Sequence, residues 1–192
     1  MVEFNFNPFP LLHSERLVLR RIVETDLDVI FDMRSNPDVM KYIPRPLAKT
    51  MDDVHEWLGV INNGIETNEA INWAISFKET PTDFVGLIGY FRPDKENERA
   101  EVGYILHPKF QKMGIIGEAM VPVLEYGFKI MKLHSIDAVI DPANKASENV
   151  LIKAGFQKEA HFRENCLFEG KWLDSVHYCR VEGRGERVDL RG

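Results

Sequence analysis

Apolar residues recur along this chain with two different periods, and the periods divide it into strands and helices. Leu17-Val18-Leu19, set between Arg16 and Arg20, predicts a short strand. Thr25 is placed as an N-cap, with Leu27, Ile30, Phe31 and Arg34 following at helical spacing until Asn36-Pro37 ends the helix. Pro44-Arg45-Pro46 reads as a loop. Thr50-Met51-Asp52-Asp53 has the form of a capping box with Asp in place of Glu. Behind it Met51, Val54, Leu58, Ile61 and Ile65 make one apolar face of a helix ending near Asn63-Gly64. Residues 71–77 and 84–91 predict strands around a turn at 79–83, and 100–106 predicts a third strand of the same meander after the charged turn 92–99.

A helix is predicted over 114–131 from its length and from Ile116, Met120, Leu124 and Phe128. Pro122 lies inside it, where a missing N–H should kink or weaken it. Ile136, Ala138 and Ile140 alternate as a strand, residues 144–154 form a short helix closed by Gly155, and 156–163 with 172–181 make a final antiparallel pair. One strand–helix–strand unit therefore lies at 100–140. The pattern predicts a single α+β, or mixed α/β, domain over residues 11–182 with a mostly antiparallel sheet, followed by a glycine- and charge-rich tail, 183–192, that is expected to fray.

Composition narrows the class. A chain of 192 residues makes one ordinary domain and can bury a core without staples. With 24 basic against 30 acidic residues the net charge is −6, a poor match for nucleic acid. The longest apolar run, 85–91, is far short of the roughly 20 residues of a membrane span. The start lacks a basic n-region and meets Pro8 and Pro10, so no signal peptide is expected. Cys166 and Cys179 are then expected as free thiols in a cytoplasmic protein. Common signatures for nucleotide loops, dinucleotide folds and serine hydrolases are missing, and the scattered histidines predict no metal site.

Two segments carry chemistry. In Tyr104-Ile105-Leu106-His107-Pro108-Lys109-Phe110-Gln111-Lys112-Met113-Gly114-Ile115-Ile116-Gly117, a strand runs through a loop into a helix with glycines at its start. Helix-start N–H groups lack internal partners, and glycine lets a ligand approach them, so the segment is a candidate anion site. No acid occurs from Val102 to Gly117, while Lys109 and Lys112 supply positive charge. A glycine cap with two solvated lysines fits the same residues. In the second segment, Asn144 and Ser147 open a helix that ends in Gly155-Phe156; Asn144 serves equally as a plain N-cap.

Together the segments resemble the GNAT superfamily of acetyl-CoA-dependent N-acetyltransferases. Gln111-Lys112-Met113-Gly114-Ile115-Ile116 is similar to its Gln/Arg-x-x-Gly-x-Gly/Ala motif, and Asn144 and Ser147 with Gly155-Phe156 to its Asn-x-x-Ser helix. Residues 14–20, 35–40, 101–104 and 170–174 resemble the RimJ/RimL-type branch, the ribosomal-protein N-terminal acetyltransferases. Two positions depart from the family pattern: Ile116 replaces a small residue, and Leu151 stands where many relatives carry a tyrosine general acid.

The resemblance implies a splayed sheet of six or seven strands with about four helices, and a donor, acetyl-CoA, lying beside the strand 100–106. It places cofactor contacts at Ile105, Leu106, His107, Gln111, Lys112, Met113, Gly114, Ile116, Gly117, Asn144 and Ser147. A backbone N–H near Ile105 or Leu106 would meet the developing oxyanion. Glu101 is the candidate base, through water, and Ser147 the candidate proton donor to the leaving thiolate. Arg45, Trp73, Tyr90 and Tyr104 are candidate acceptor contacts, each with a plainer alternative as core or surface. The acceptor is an amine. A lysine amine of pKa about 10.4 is neutral in roughly 0.04% of molecules at pH 7, and an α-amine of pKa about 7.8 in roughly 14%, so a protein N-terminus or another low-pKa amine needs only modest help. A homodimer is compatible with the resemblance. The other readings are an inactive acetyl-CoA-binding or sensing module of the same fold, and an unrelated phosphate binder.

Overall fold

The structure, a computed structural model, describes residues 3–183. These residues form one eight-stranded sheet: β1 (Leu12–His13), β2 (Leu17–Arg20), β3 (Ile71–Phe77), β4 (Gly86–Asp94), β5 (Arg99–Leu106), β6 (Ser135–Ile140), β7 (Gln157–Phe168) and β8 (Lys171–Val181). Their order is β1-β2-β3-β4-β5-β6-β8-β7, and every pairing is antiparallel except β5 with β6. The helices are α1 (Leu27–Ser35), the single turn α2 (Pro37–Met40), α3 (Met51–Glu66), α4 (Ile115–Glu125) and α5 (Lys145–Lys153). The architecture is the expected mixed α/β domain, with one more helix and one more strand than the sequence predicts. None of the described helices is long and apolar enough to cross a membrane. The tail expected to fray, 184–192, lies outside the described residues.

Local signals explain most boundaries. The capping box at α3 forms as read: Thr50 Oγ1 accepts from the Asp53 N–H, and Asp53 Oδ2 accepts from the Lys49 and Thr50 N–H groups at 2.7 and 2.9 Å. Thr25 is not the cap of α1. It lies in a 3₁₀ turn, Glu24–Asp26, and the buried Asp26 carboxylate accepts from the Val23 N–H at 2.9 Å and from Arg20 at 2.7 and 2.8 Å. The third helix also runs past Gly64 to Glu66, because Gly64 packs against Ala70, where a Cβ would approach within 3.1 Å.

Pro122 neither breaks nor bends its helix out of the fold. Instead α4 widens after it into a π-helical turn, Tyr126–Ile130. At that point the Tyr90 hydroxyl donates to the Val123 carbonyl at 2.8 Å, and Gly127 leaves the space the phenol needs: a Cβ there would meet the Tyr90 oxygen within a forbidden 2.4 Å. The helix that carries the candidate anion site is thereby keyed to the centre of the sheet.

Strand alternation gives the sheet two faces. Register places Trp73, Ile88 and Tyr104 in one row of one face, and Ile71, Tyr90 and Val102 in the next. The helix α4 covers this face through Tyr90–Val123 and the Trp73–Tyr126 ring contact at 5.4 Å. The opposite face carries Asn72, Gly89 and Gly103 in one row, with Glu101 beyond. There α1 is tied to the sheet by the Arg20–Asp26 ion pair (2.7 Å) and by Asp32 Oδ2, 3.4 Å from His107 Nε2.

Candidate active site

The sheet opens between β5 and β6. These parallel strands pair at only three positions, Arg99–Ser135, Ala100–Ile136 and Glu101–Asp137. Beyond them β5 keeps its pairing with β4 as far as Leu106, and β6 keeps its pairing with β8 as far as Ile140. One edge of β5 is therefore left without a neighbouring strand from Val102 onward. The His107 N–H donates to the Val85 carbonyl at 2.9 Å, on the β4 side. By alternation the backbone groups of Ile105 and Gly103 face β4 as well, whereas those of Tyr104 and Leu106 face the opening. Of the two backbone donors expected near the reacting carbonyl, Leu106 faces the opening and Ile105 faces β4. The His107 backbone is likewise engaged with Val85, and its ring Nδ1 accepts from the Lys109 N–H at 3.2 Å.

The loop after β5 leads into the start of α4. Gly114 is the N-cap in the left-handed region, φ +75°, and no side chain caps the helix. Lys112 is left-handed too, φ +63°. Nothing lies within 4 Å of a Cβ built at Gly114 or Gly117, so the first-turn N–H groups face open space. Gln111, Lys112 and Met113 are exposed around it. Ile116, the bulky departure from the family pattern, is only 7% exposed and belongs to the hydrophobic core. Its side chain does not fill the front of the helix.

An acid does stand in this first turn, and sequence reading missed how it is held. Glu118 accepts from the Ser14 hydroxyl (2.7 Å), the Arg16 N–H (2.8 Å) and Arg16 Nε (2.7 Å), and Arg16 also donates to the Met113 carbonyl at 3.1 Å. Burial alone would raise the Glu118 pKa; the bonds from Ser14 and Arg16 outweigh it and hold the carboxyl below its usual range. The charge is spent on tying α4 to the β1–β2 turn. Ser14, Arg16 and Glu118 are about 100 residues apart in the chain, so no local pattern could have joined them.

Ser147 and Tyr104 meet across the opening. The Ser147 hydroxyl donates to the Tyr104 phenol oxygen at 2.8 Å, and Tyr104 lies 3.4 Å from the Ser147 carbonyl. Burial pushes the Tyr104 pKa up to about 12, with the serine bond acting the other way, so the phenol is protonated at neutral pH. Tyr104, a candidate acceptor contact, thus lies against the candidate proton donor Ser147, on the face of the sheet opposite Glu101. The side-chain oxygen of Asn144 accepts from the Ser147 N–H at 3.1 Å, the plain N-cap arrangement, which also fixes Ser147 in place. Leu151 is wholly buried.

Glu101 occupies the vertex of the opening, in the last pair before β5 and β6 part. Its Oε2 accepts from Arg92 Nη1 at 2.8 Å, in an ion pair whose arginine is largely exposed. Beside it Gly103 is covered by the Phe91 ring, which leaves no room for a Cβ. Two of the expected acceptor contacts are placed elsewhere. Trp73 is 0% exposed, its indole donating to the Pro10 carbonyl at 2.8 Å, and Tyr90 is 1% exposed beneath α4. Both are core residues because their strand positions face α4. Arg45 is exposed in the loop between α2 and α3. Both cysteines are free, and burial, followed by the Asp137 carboxylate, pushes the Cys179 thiol up to about 12, which leaves it no nucleophilic role. Among the described residues no group of three His, Cys, Asp or Glu side chains is placed to hold a metal ion.

Comparison with known proteins agrees with this geometry. The family described as the acetyltransferase (GNAT) domain matches residues 16–157. An uncharacterized N-acetyltransferase of Bacillus subtilis, YoaA, is 31% identical over 176 residues, covering 92% of this chain and 99% of that protein. The ribosomal protein uS5-alanine N-acetyltransferase of Escherichia coli is 25% identical over 173 residues, covering 86% and 87%. A solved GNAT-family acetyltransferase from Bacillus anthracis superimposes with a TM-score of 0.79 at 29% identity, covering 90% of this chain and 98% of that one. The chain belongs to the GNAT acetyltransferase family, and it is an acyltransferase.

Proposed function

We propose that the protein transfers the acetyl group of acetyl-CoA to a primary amine, either the α-amine of a protein N-terminus, as in the RimJ/RimL-type branch, or a small amine. The observation that carries this reading is the opening of the sheet at Glu101–Asp137, whose free β5 edge leads directly to the uncapped, glycine-fronted start of α4. These parts fit acetyl-CoA. An unpaired strand edge matches an amide-bearing arm, and open helix-start N–H groups match a pyrophosphate. Ile116 offers no obstruction. When bound there, acetyl-CoA would supply an activated acyl group as a thioester.

The protein's own groups divide the proton work between the two faces of the sheet. Glu101, at the vertex and on the α1–α3 face, takes the proton the amine must lose, directly or through water. Ser147, backed by the protonated Tyr104 phenol on the other face, supplies a proton to the departing sulfur. Tyr104 offers the phenol that Leu151 cannot. The Leu106 N–H stands on the open edge as the donor for developing negative charge.

Thermal unfolding with acetyl-CoA, using ATP as control, tests the donor site. At about 100 times Kd a ligand of the native state adds roughly 2.7 kcal/mol. For a domain of this size the midpoint should rise by about 5–10 °C with acetyl-CoA and stay unchanged with ATP. Equal shifts with both, or none with acetyl-CoA, would sink the reading.

A further inference from the structure

We propose that Arg34 and Arg45, together with the indole of Trp57, bind an oxyanionic group of the acceptor, a carboxylate or a phosphate on the same molecule as the amine. The inference rests on the acetyltransferase reading and adds the class of acceptor.

Arg34 lies near the end of α1 with its guanidinium carbon 5.2 Å from the Trp57 ring centroid, stacked between α1 and α3. Its Nε is buried, and among the described residues nothing accepts from it. A buried donor without an acceptor calls for an explanation, and a ligand oxygen is one. The loop that leaves α2 carries Arg45 and folds back onto α1 at Arg34. The Ile43 N–H donates to the Met40 carbonyl at 2.8 Å, the Arg45 N–H to the Ile43 carbonyl at 2.7 Å, and the Ala48 N–H folds back onto the Arg34 carbonyl at 3.0 Å. Arg45 makes no ion pair among the described residues and is open to solvent.

The electrostatics are those of a site with its charge uncompensated. Burial, and then the neighbouring Arg45, lowers the Arg34 pKa; Asp53 acts in the opposite sense. Asp53 Oδ2 accepts from the N–H groups of Lys49 and Thr50, and among the described residues Asp53 forms no ion pair with Arg34. Although the chain holds 30 acidic residues, among the described residues no carboxylate forms an ion pair with Arg34 or with Arg45. Like charges held together are unfavourable unless an anion joins them. The planar fork of arginine suits carboxylate and phosphate oxygens, and a face held by the Trp57 indole keeps it oriented.

The place is appropriate. The helix α1 packs over the face of the sheet that carries Glu101, tied there by the Arg20–Asp26 pair just before its start. An acceptor lying on this face would present its amine toward the opening and its anion toward the α1–α3 hairpin. Polyamines, which carry only positive charge, would be repelled.

Matched acceptor pairs test the idea: an amino acid against its C-terminal amide, phosphoethanolamine against ethanolamine, and spermidine alone. Calculated on the concentration of neutral amine in each acceptor, the anionic member of one pair should show kcat/KM about 10- to 100-fold above its neutral partner. The pair that responds tells carboxylate from phosphate. Arg45→Gln, at an exposed position, should erase that preference, and Arg45→Lys should restore part of it; Arg34→Gln should do the same if it keeps its packing on Trp57. A second arm needs no turnover. In the complex with CoA, an N-acetylated amino acid should raise the unfolding midpoint more than its amide does, and Arg45→Gln should remove the difference. No preference in either arm, a preference for spermidine, or an equal loss on all acceptors in Arg45→Gln overturns the anion site while an acetyl-CoA shift leaves the transferase reading standing. Loss of the acetyl-CoA shift itself overturns both.

Discussion

The two sides of the opening are built on different principles. The donor side is made of backbone: an unpaired strand edge from Val102 to Leu106, and helix-start N–H groups fronted by Gly114 and Gly117. The proposed acceptor side gathers side chains from separate elements: Glu101 from β5, Arg34 from α1, Arg45 from a loop and Trp57 from α3. Backbone is the same in every sequence, so a site made of it needs only the right spacing of glycines and strand ends. A side-chain site can be rewritten one residue at a time. The difference teaches why one fold can keep its donor and change its acceptor.

If that contrast holds, substitutions on the two sides will separate in kinetics. The largest effect is expected from Glu101→Gln. Its turnover should fall by about 10²- to 10⁴-fold, the ordinary worth of a general base, while the acetyl-CoA thermal shift is retained. Turnover equal to the parent would remove Glu101 as the base. It would also move the proton chemistry off the acceptor side.

A smaller effect is expected at the Ser147–Tyr104 pair. Ser147→Ala and Tyr104→Phe should each lower kcat with little change in KM for the amine. The double variant should be no worse than the poorer single one, because two groups acting through one hydrogen bond are not additive. Full additivity would mean that the 2.8 Å contact is structural and plays no part in proton delivery.

The smallest effect on function belongs to Glu118, the acid in the first turn of α4. Glu118→Gln should leave the acetyl-CoA affinity nearly unchanged, since the backbone does the binding. Its mark is on stability. The folded-state pKa of Glu118 is depressed, so its contribution is present above the unfolded value of about 4.3 and is lost as pH falls through the lower folded value. Glu118→Gln should therefore lower the unfolding midpoint at neutral pH and match the parent once pH is below both values. A midpoint difference that persists at the lowest pH would assign the effect to lost packing.

The same contrast explains what could be read in advance. The capping box at Thr50–Asp53, the meander of β3 to β5 and the strand–helix–strand unit rest on signals within a few residues, and the structure contains them. The left-handed glycine start of α4 at Gly114 was legible for the same reason. Trp73 and Tyr90 were misplaced because period-two alternation tells which residues share a face, without telling which face α4 will cover. Thr25 lost the cap to Asp26 because the half-buried Arg20 recruits that carboxylate. Pro122 was tolerated because Tyr90, 32 residues earlier, meets the helix where it widens.

By itself the sequence determined the elements, their caps and the glycine-fronted helix start, since these depend on dihedral preferences and hydrogen bonds between near neighbours. It determined as well the class of chemistry, through the order of its motifs. Only the tertiary structure decided that β5 parts from β6 at Glu101, that Tyr104 stands behind Ser147, that Glu118 is disarmed by Arg16, and that Arg34 stacks on Trp57 with the Arg45 loop folded back onto it. Each of these joins residues brought together by packing across the chain, where distance along the sequence carries no information about distance in space.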